Sequence, residues 1–244
     1  MTTFRPWTWG DIVPPNEARL EPEVTPADLE AFAGDVEAQQ LQLLACQRSP
    51  WYWLVNYVVT IDEHYTEAGL AVPYRRFPPK KYLRSAADLW FREPRTAWPK
   101  SRQMGITWLF VALYLGDAIF LPGRLNFIQS KGERDAVNVL RRAKIILENL
   151  RAHAPWMVPA VVDDSETRLS FDNRSALQAV PEGAHHIRSY TPSGLFMDEA
   201  SEQPAAALAY EAAMACCQRV TLVGTADFSW FYAVLLQDKI GEAA

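Results

Sequence analysis

The chain has 244 residues, 49% of them hydrophobic and 22% charged, with a formal net charge of −5. That length supports one or two globular domains with a full α/β core. The negative balance argues against a free-standing high-affinity DNA binder, whose grip rests on Lys and Arg neutralising phosphates.

Residues 1–24 are rich in Pro, Trp and acids without a period, and read as an irregular arm. They lack the basic region followed by an apolar stretch that marks a secretory signal. Thr25-Pro26-Ala27-Asp28 supplies a cap residue, a proline at the first helical position and an acid in the first turn, predicting one helix toward Cys46. Ser49-Pro50 ends it. Residues 51–60 are dense in aromatic and β-branched side chains, and their period fits helix and strand equally. Pro73, Pro78 and Pro79 mark a loop; residues 81–91 then read as a helix with Tyr82, Ala86, Leu89 and Trp90 on one side.

Residues 96–98 form the first predicted central strand. Residues 107–120 are nearly all apolar, as in a helix buried under a sheet, and are too short and too interrupted by Gly116-Asp117 to span a bilayer. Residues 124–130 read as a second strand and 133–150 as an amphipathic helix. Residues 168–171 and 175–180 read as a hairpin about Asp172-Asn173-Arg174. Residues 194–197 and 220–223 read as parallel core strands flanking a helix over 204–217. This alternation implies right-handed βαβ crossovers and a mostly parallel sheet. Cys46 and the adjacent Cys216 and Cys217 offer no disulfide or zinc framework, and read as buried thiols in a reducing cytoplasm.

The chemistry concentrates in two places. Residues 100–107 read K-S-R-Q-M-G-I-T, against the usual phosphate loop G-x-x-x-x-G-K-[ST]. Gly105 and Thr107 keep their places, Ile106 occupies the lysine slot, and Lys100 stands where the first glycine belongs. A loop from a strand to a helix N-terminus aims backbone N–H groups and the positive helix end at one point, which suits a phosphate chain. In that reading Gly105 permits close approach, Thr107 ligates Mg²⁺, Lys100 folds back over the β and γ phosphates and Arg102 adds charge. Ser101, Gln103, Met104 and Ile106 complete the loop. A basic turn before a buried helix fits this octapeptide alone at least as well.

Far downstream, the apolar run Gly194-Leu195-Phe196-Met197 ends in Asp198-Glu199. Asp198 suits a Mg²⁺ ligand, and Glu199 suits a general base that polarises the attacking water. Taken alone, the pair serves equally as a helix cap. Both motifs in this order, each at a predicted strand end, point to an ATPase. Thr225, ending the strand at 220–223, fits a γ-phosphate sensor or a simple turn, and spacing does not separate these. Arg75-Arg76, Lys80-Lys81 and Arg141-Arg142 read as solvated charged faces. The adjacent His185 and His186 read as a loop pair without further metal ligands, and Trp51-Tyr52-Trp53 reads as core.

Together these motifs resemble the ATPase domain of the large terminase subunit, the DNA-packaging motor of tailed bacteriophages. K-S-R-Q-M-G-I-T resembles its lysine-first phosphate loop, G-L-F-M-D-E-A-S its Walker B segment and V-G-T-A-D its coupling motif, with Thr225 as the coupling residue. Residues 51–57 and 72–78 resemble the segment on the adenine side. Ile187-Arg188-Ser189-Tyr190 resembles a stretch whose arginine is held to reach a neighbouring subunit's nucleotide, making Arg188 a catalytic candidate beside Glu199; a structural ion-pair role is its alternative. Lys80 stands where the family commonly has a glutamine, and Arg174 where a hairpin glycine is frequent.

The resemblance implies a P-loop NTPase of the ASCE type, a central mostly parallel sheet flanked by helices, with a mainly helical N-terminal extension. It divides the chain into residues 1–50, arm and helix, and residues 51–244, the ATPase core. It implies an ATP- and Mg-dependent motor acting on double-stranded viral DNA, as a homo-oligomeric ring with the portal protein and small terminase subunit. It places the protein in the host cytoplasm, transiently at the procapsid portal vertex, and not in a membrane. The family's C-terminal nuclease domain is not expected in this chain, which reads as a truncation. A helicase-like translocase and a non-hydrolysing nucleotide-binding scaffold are the alternative functions.

Overall fold

The computed structural model describes residues 23–62, 66–67, 73–101, 104–225 and 231. The helix expected over 25–46 is two helices, α1 (Pro26–Ala33) and α2 (Val36–Arg48). Gly34 ends the first, and the Asp35 carboxylate accepts from Ala38 N at 3.0 Å to start the second. Glycine is a poor helix former, and a short acid captures backbone donors better as a cap than inside a helix.

The ambiguous stretch after Ser49 resolves into both readings. Ser49 Oγ accepts from Tyr52 N at 3.1 Å and Pro50 opens α3 (Pro50–Tyr57), after which β1 (Val59–Ile61) begins. The expected proline loop contains a partner for it, β2 (Tyr74–Arg76), paired antiparallel to β1. Trp51, Tyr52 and Trp53 are all buried, and Trp53 Nε1 donates to Ala112 O at 2.9 Å.

The elements that follow are α4 (Lys81–Arg92), β3 (Arg95–Pro99), α5 (Ile106–Phe120), β4 (Leu125–Gln129) and α6 (Glu133–His153). Then come β5 (Val161–Ser165), β6 (Arg168–Phe171), β7 (Ala176–Ala179), α7 (His185–Tyr190), β8 (Gly194–Met197), α8 (Ala206–Cys216) and β9 (Arg219–Gly224). The larger sheet has the order β3-β9-β8-β4-β7-β6-β5. From β3 to β7 all neighbours run parallel; β6 and β5 add an antiparallel edge. The fold is therefore α/β with a mostly parallel central sheet. β5 escapes sequence reading because Val161-Val162-Asp163-Asp164-Ser165 is a half-exposed edge strand carrying acids, with no apolar period to see. His185 and His186 open the helix α7 and do not lie in a loop; packing of Ile187, fully buried, decides this.

Alternation along the strands fixes which side chain meets which layer. Ala97, Phe127, Leu195, Met197, Val220 and Leu222 face a core completed by α8 residues such as Ala209 and Ala213. Trp98, Ile128, Phe196 and Val223 face the opposite core with α5 and α6. That second core continues without a break to Cys46 and Val24. α5 is buried along nearly its whole length, which explains its mostly apolar sequence.

Two backbone positions carry special demands. A Cβ on Gly194 would lie 2.6 Å from Asn126 Oδ1 and 2.7 Å from Tyr114 Cε1, so only glycine fits where β8 passes α5. Arg174 takes φ +68° in the β6–β7 turn, the left-handed conformation that glycine adopts without strain. No described helix is long and apolar enough to cross a membrane.

Candidate active site

β3, β9 and β8 end on one rim, where the described residues of the phosphate loop meet Asp198, Glu199 and Thr225. The chain leaves β3 at Pro99, and Lys100 N donates to Gly224 O at 2.9 Å, tying the start of the phosphate loop to the end of β9. Gly105, at φ +72°, turns the chain into α5. A Cβ there would meet only Leu83 Cδ1 at 4.0 Å, so the demand for glycine is conformational. Tyr82 OH donates to Met104 O at 2.8 Å and braces the loop against α4. No side chain caps the N-terminus of α5, leaving its first-turn N–H groups available to an anion.

Four side chains remote in sequence converge. Lys100 Nζ lies 3.0 Å from Glu199 Oε1, 3.4 Å from Thr107 Oγ1 and 3.6 Å from Asp198 Oδ1. Thr107 Oγ1 donates to the Asp198 carboxylate at 3.0 and 3.2 Å. Strand alternation explains the last contact: Met197 faces α8, so Asp198 turns toward α5. Asp198 is 5% exposed, its backbone N held by Gln129 O at 2.9 Å and its O by Gln203 Nε2 at 2.8 Å. Glu199 takes φ +50°, a left-handed conformation costly for a residue with a side chain, and its carboxylate lies in the cleft beside Lys100.

Burial pushes the Asp198 carboxyl above its ordinary range; the Lys100 ammonium opposes this, Glu199 adds to it, and the Thr107 hydroxyl opposes it. The unfolded chain carries an ordinary carboxyl at this position. Below that ordinary value both states are protonated and the penalty for burying the charge is absent; as pH rises from there through the raised folded value, stability is lost. Asp198→Asn is therefore expected to raise the unfolding temperature of the nucleotide-free chain at neutral pH, with the gain shrinking as pH falls through the carboxylate range. Thermal unfolding of both proteins across that range checks this, and equal unfolding temperatures at neutral pH would contradict it.

The cleft encloses about 790 Å³, in the range of sites for drug-sized ligands. Lys100, Ser101, Met104, Gly105, Ile106 and Thr107 line it with Asp198, Glu199 and Thr225. Arg102 and Gln103, also expected in the loop, lie outside the described residues. Thr225 is exposed at the rim, its backbone N donating to Ser201 Oγ at 3.1 Å. Arg188 stands apart from this group, exposed on α7. The far wall comes from β1 and β2, Phe77 and Pro78, with Lys80 beside them.

Sequence reading missed Tyr82, Lys131, Arg142 and Glu202, which also line the cleft. The Arg141-Arg142 pair was the one visible signal for Arg142. Thr107 and Asp198 present oxygen donors hydrogen-bonded to each other at the base of the cleft. Such a pair fits a hard divalent cation that keeps several waters and shares substrate phosphates. Among the described residues no cluster of three or more His, Cys, Asp or Glu forms a denser metal site.

No family model matches the chain, and no curated protein matches it. Among solved structures, the HK97 bacteriophage large terminase aligns with a TM-score of 0.56 at 11% identity, over 83% of this chain and 41% of that one. The ATPase domain of the Thermus phage P74-26 large terminase aligns with a TM-score of 0.45 at 17% identity, over 57% of this chain and 62% of that one. The chain thus spans about two fifths of the HK97 protein, and over that span it has the fold of a bacteriophage large terminase.

Proposed function

We propose that this chain is the ATPase module of a viral DNA-packaging motor, with residues 51–244 as its core and Mg²⁺ and ATP as its cofactor and fuel. It works as a homo-oligomeric ring with the portal protein and small terminase subunit, moving double-stranded DNA into a procapsid at the portal vertex in the host cytoplasm. The observation that carries this reading is the meeting of Lys100, Thr107, Asp198 and Glu199 on the rim of a sheet with the terminase fold.

The geometry supports the following roles. The loop and the open N-terminus of α5 bind the phosphate chain through backbone N–H groups. Thr107 and Asp198 would hold Mg²⁺, which would supply positive charge against the negative charge on the phosphoryl oxygens. Lys100 bridges the two halves of the site, and an incoming phosphate competes with Glu199 for its ammonium. Glu199, released from that pairing, accepts a proton from the attacking water. Thr225, linked through its backbone to Ser201 beside the Asp198-Glu199 turn, passes loss of the terminal phosphate toward β9. Arg188, exposed on the flank, completes a neighbouring subunit's site.

Phosphate release from ATP with Mg²⁺, against a chelator control, tests the proposal. Turnover that requires Mg²⁺ is expected. Binding of ATP without turnover would favour a nucleotide-binding scaffold, and absence of both would overturn the nucleotide reading.

A further inference from the structure

Arg142 lines the cleft without a carboxylate partner among the described residues. It lies on α6, half-buried, with its guanidinium carbon 5.6 Å from the ring centroid of Trp108, the residue after Thr107. Stacking on an indole holds a guanidinium in place without neutralising its charge. Its neighbours on the same helix are engaged elsewhere. Arg141 pairs with Glu166 at 3.2 Å and Lys144 with Asp164 at 2.6 Å, both on the β5–β6 hairpin. The basic run of α6 is thus divided, its flanking members clamping the sheet edge while Arg142 lines the cleft.

Four other cleft cations have carboxylate partners: Lys100 has Glu199 and Asp198, Arg75 has Asp62, Arg76 has Glu23 and Lys131 has Glu202; Lys80, beside the wall formed by β1 and β2, lies over the Tyr82 ring at 6.0 Å from its centroid. Among the described residues Arg142 has no carboxylate partner. Its location along the cleft is also defined. Trp108 belongs to the first turn of α5 and directly follows Thr107, whose hydroxyl donates to Asp198 at 3.0 Å. Thr107 reaches Asp198, and Lys100 bridges Thr107 and Glu199, so Trp108 marks the end of the cleft where Glu199 sits. A hydrolysable phosphate must lie within reach of Glu199, so an unpaired guanidinium at this end faces the terminal phosphate.

We infer that Arg142 is a ligand, within the same subunit, for the terminal phosphate of a bound nucleoside triphosphate, and that it makes the cleft prefer triphosphate over diphosphate. The inference rests on the nucleotide reading of the cleft and deepens it. An arginine fork gives charge-assisted hydrogen bonds to phosphate oxygens. A diphosphate leaves that fork without its partner.

The test is calorimetric binding of a slowly hydrolysed ATP analogue and of ADP, both with Mg²⁺, to the wild-type chain and to Arg142→Gln, Arg142→Lys and Arg141→Gln. For Arg142→Gln, triphosphate affinity is expected to fall about tenfold or more, while ADP affinity stays within about twofold. Arg141→Gln should change neither. Equal weakening of both ligands, or no weakening of either, would overturn the inference while leaving the nucleotide reading intact. A wild-type chain that binds neither ligand would overturn both. Should Arg142→Gln fail to fold, Arg142→Lys carries the test, because it keeps the charge but loses the planar stack and fork. Its ratio of triphosphate to diphosphate affinity should fall in the same direction by a smaller factor, and an unchanged ratio would sink the inference.

Discussion

Replacing Glu199 with Gln is expected to lower ATP turnover by about 10²–10⁴-fold, the usual contribution of a positioned general base, while ATP affinity stays within a few-fold. The substitution keeps the shape of the side chain and an acceptor oxygen for Lys100, which sits 3.0 Å from Glu199 Oε1. The loop, Thr107 and Asp198 therefore keep their arrangement, while proton acceptance and the charge paired with Lys100 are removed. Single-turnover phosphate release separates chemistry from binding, and a fluorescent nucleotide reports affinity. Equal turnover in the two proteins would remove Glu199 from the chemical step. A parallel collapse of binding would instead mean that its pairing with Lys100 holds the cleft open.

Arg188→Ala is expected to abolish the part of turnover that rises with protein concentration, by about 10³–10⁵-fold if it acts as an arginine finger in trans. The geometry motivates this: Arg188 is exposed on α7 and has no ion-pair partner among the described residues, whereas the residues lining its own cleft come from other elements. A mixing experiment makes the expectation specific. Arg188→Ala keeps an intact Glu199, and Glu199→Gln keeps an intact Arg188. Combining the two inactive proteins should restore activity above either alone, because an Arg188→Ala site can receive the arginine of its neighbour. Absence of rescue, together with a lowered unfolding temperature for Arg188→Ala, would assign Arg188 a structural role.

Much of this molecule is legible in its sequence because the signals are local. Pro26 and Asp28 announce a helix start, and the apolar residues 107–120 announce burial. Asp172-Asn173-Arg174 announces a turn. Gly34-Asp35 could also have been read, since a poor helix former followed by a capping acid ends one helix and begins another. β5 could not, because an edge strand faces water and needs no apolar alternation.

The chain order of residues determined which chemical groups exist and at which strand ends they stand: Lys100 and Thr107 bracketing a loop after β3, Asp198 and Glu199 after β8, Thr225 after β9. Sequence by itself could not distinguish a basic turn from a phosphate loop, or a helix cap from a catalytic pair. The tertiary structure decided their meeting, by setting β9 between β3 and β8, so that their ends share a rim and Lys100 reaches Thr107, Asp198 and Glu199 together. It also decided the fate of two adjacent arginines. Successive residues on a helix point about 100° apart, so Arg141 meets the β5–β6 hairpin while Arg142 stacks on Trp108 in the cleft. Spacing along a chain sets the direction of a side chain, and only the packing of other elements sets what that direction meets.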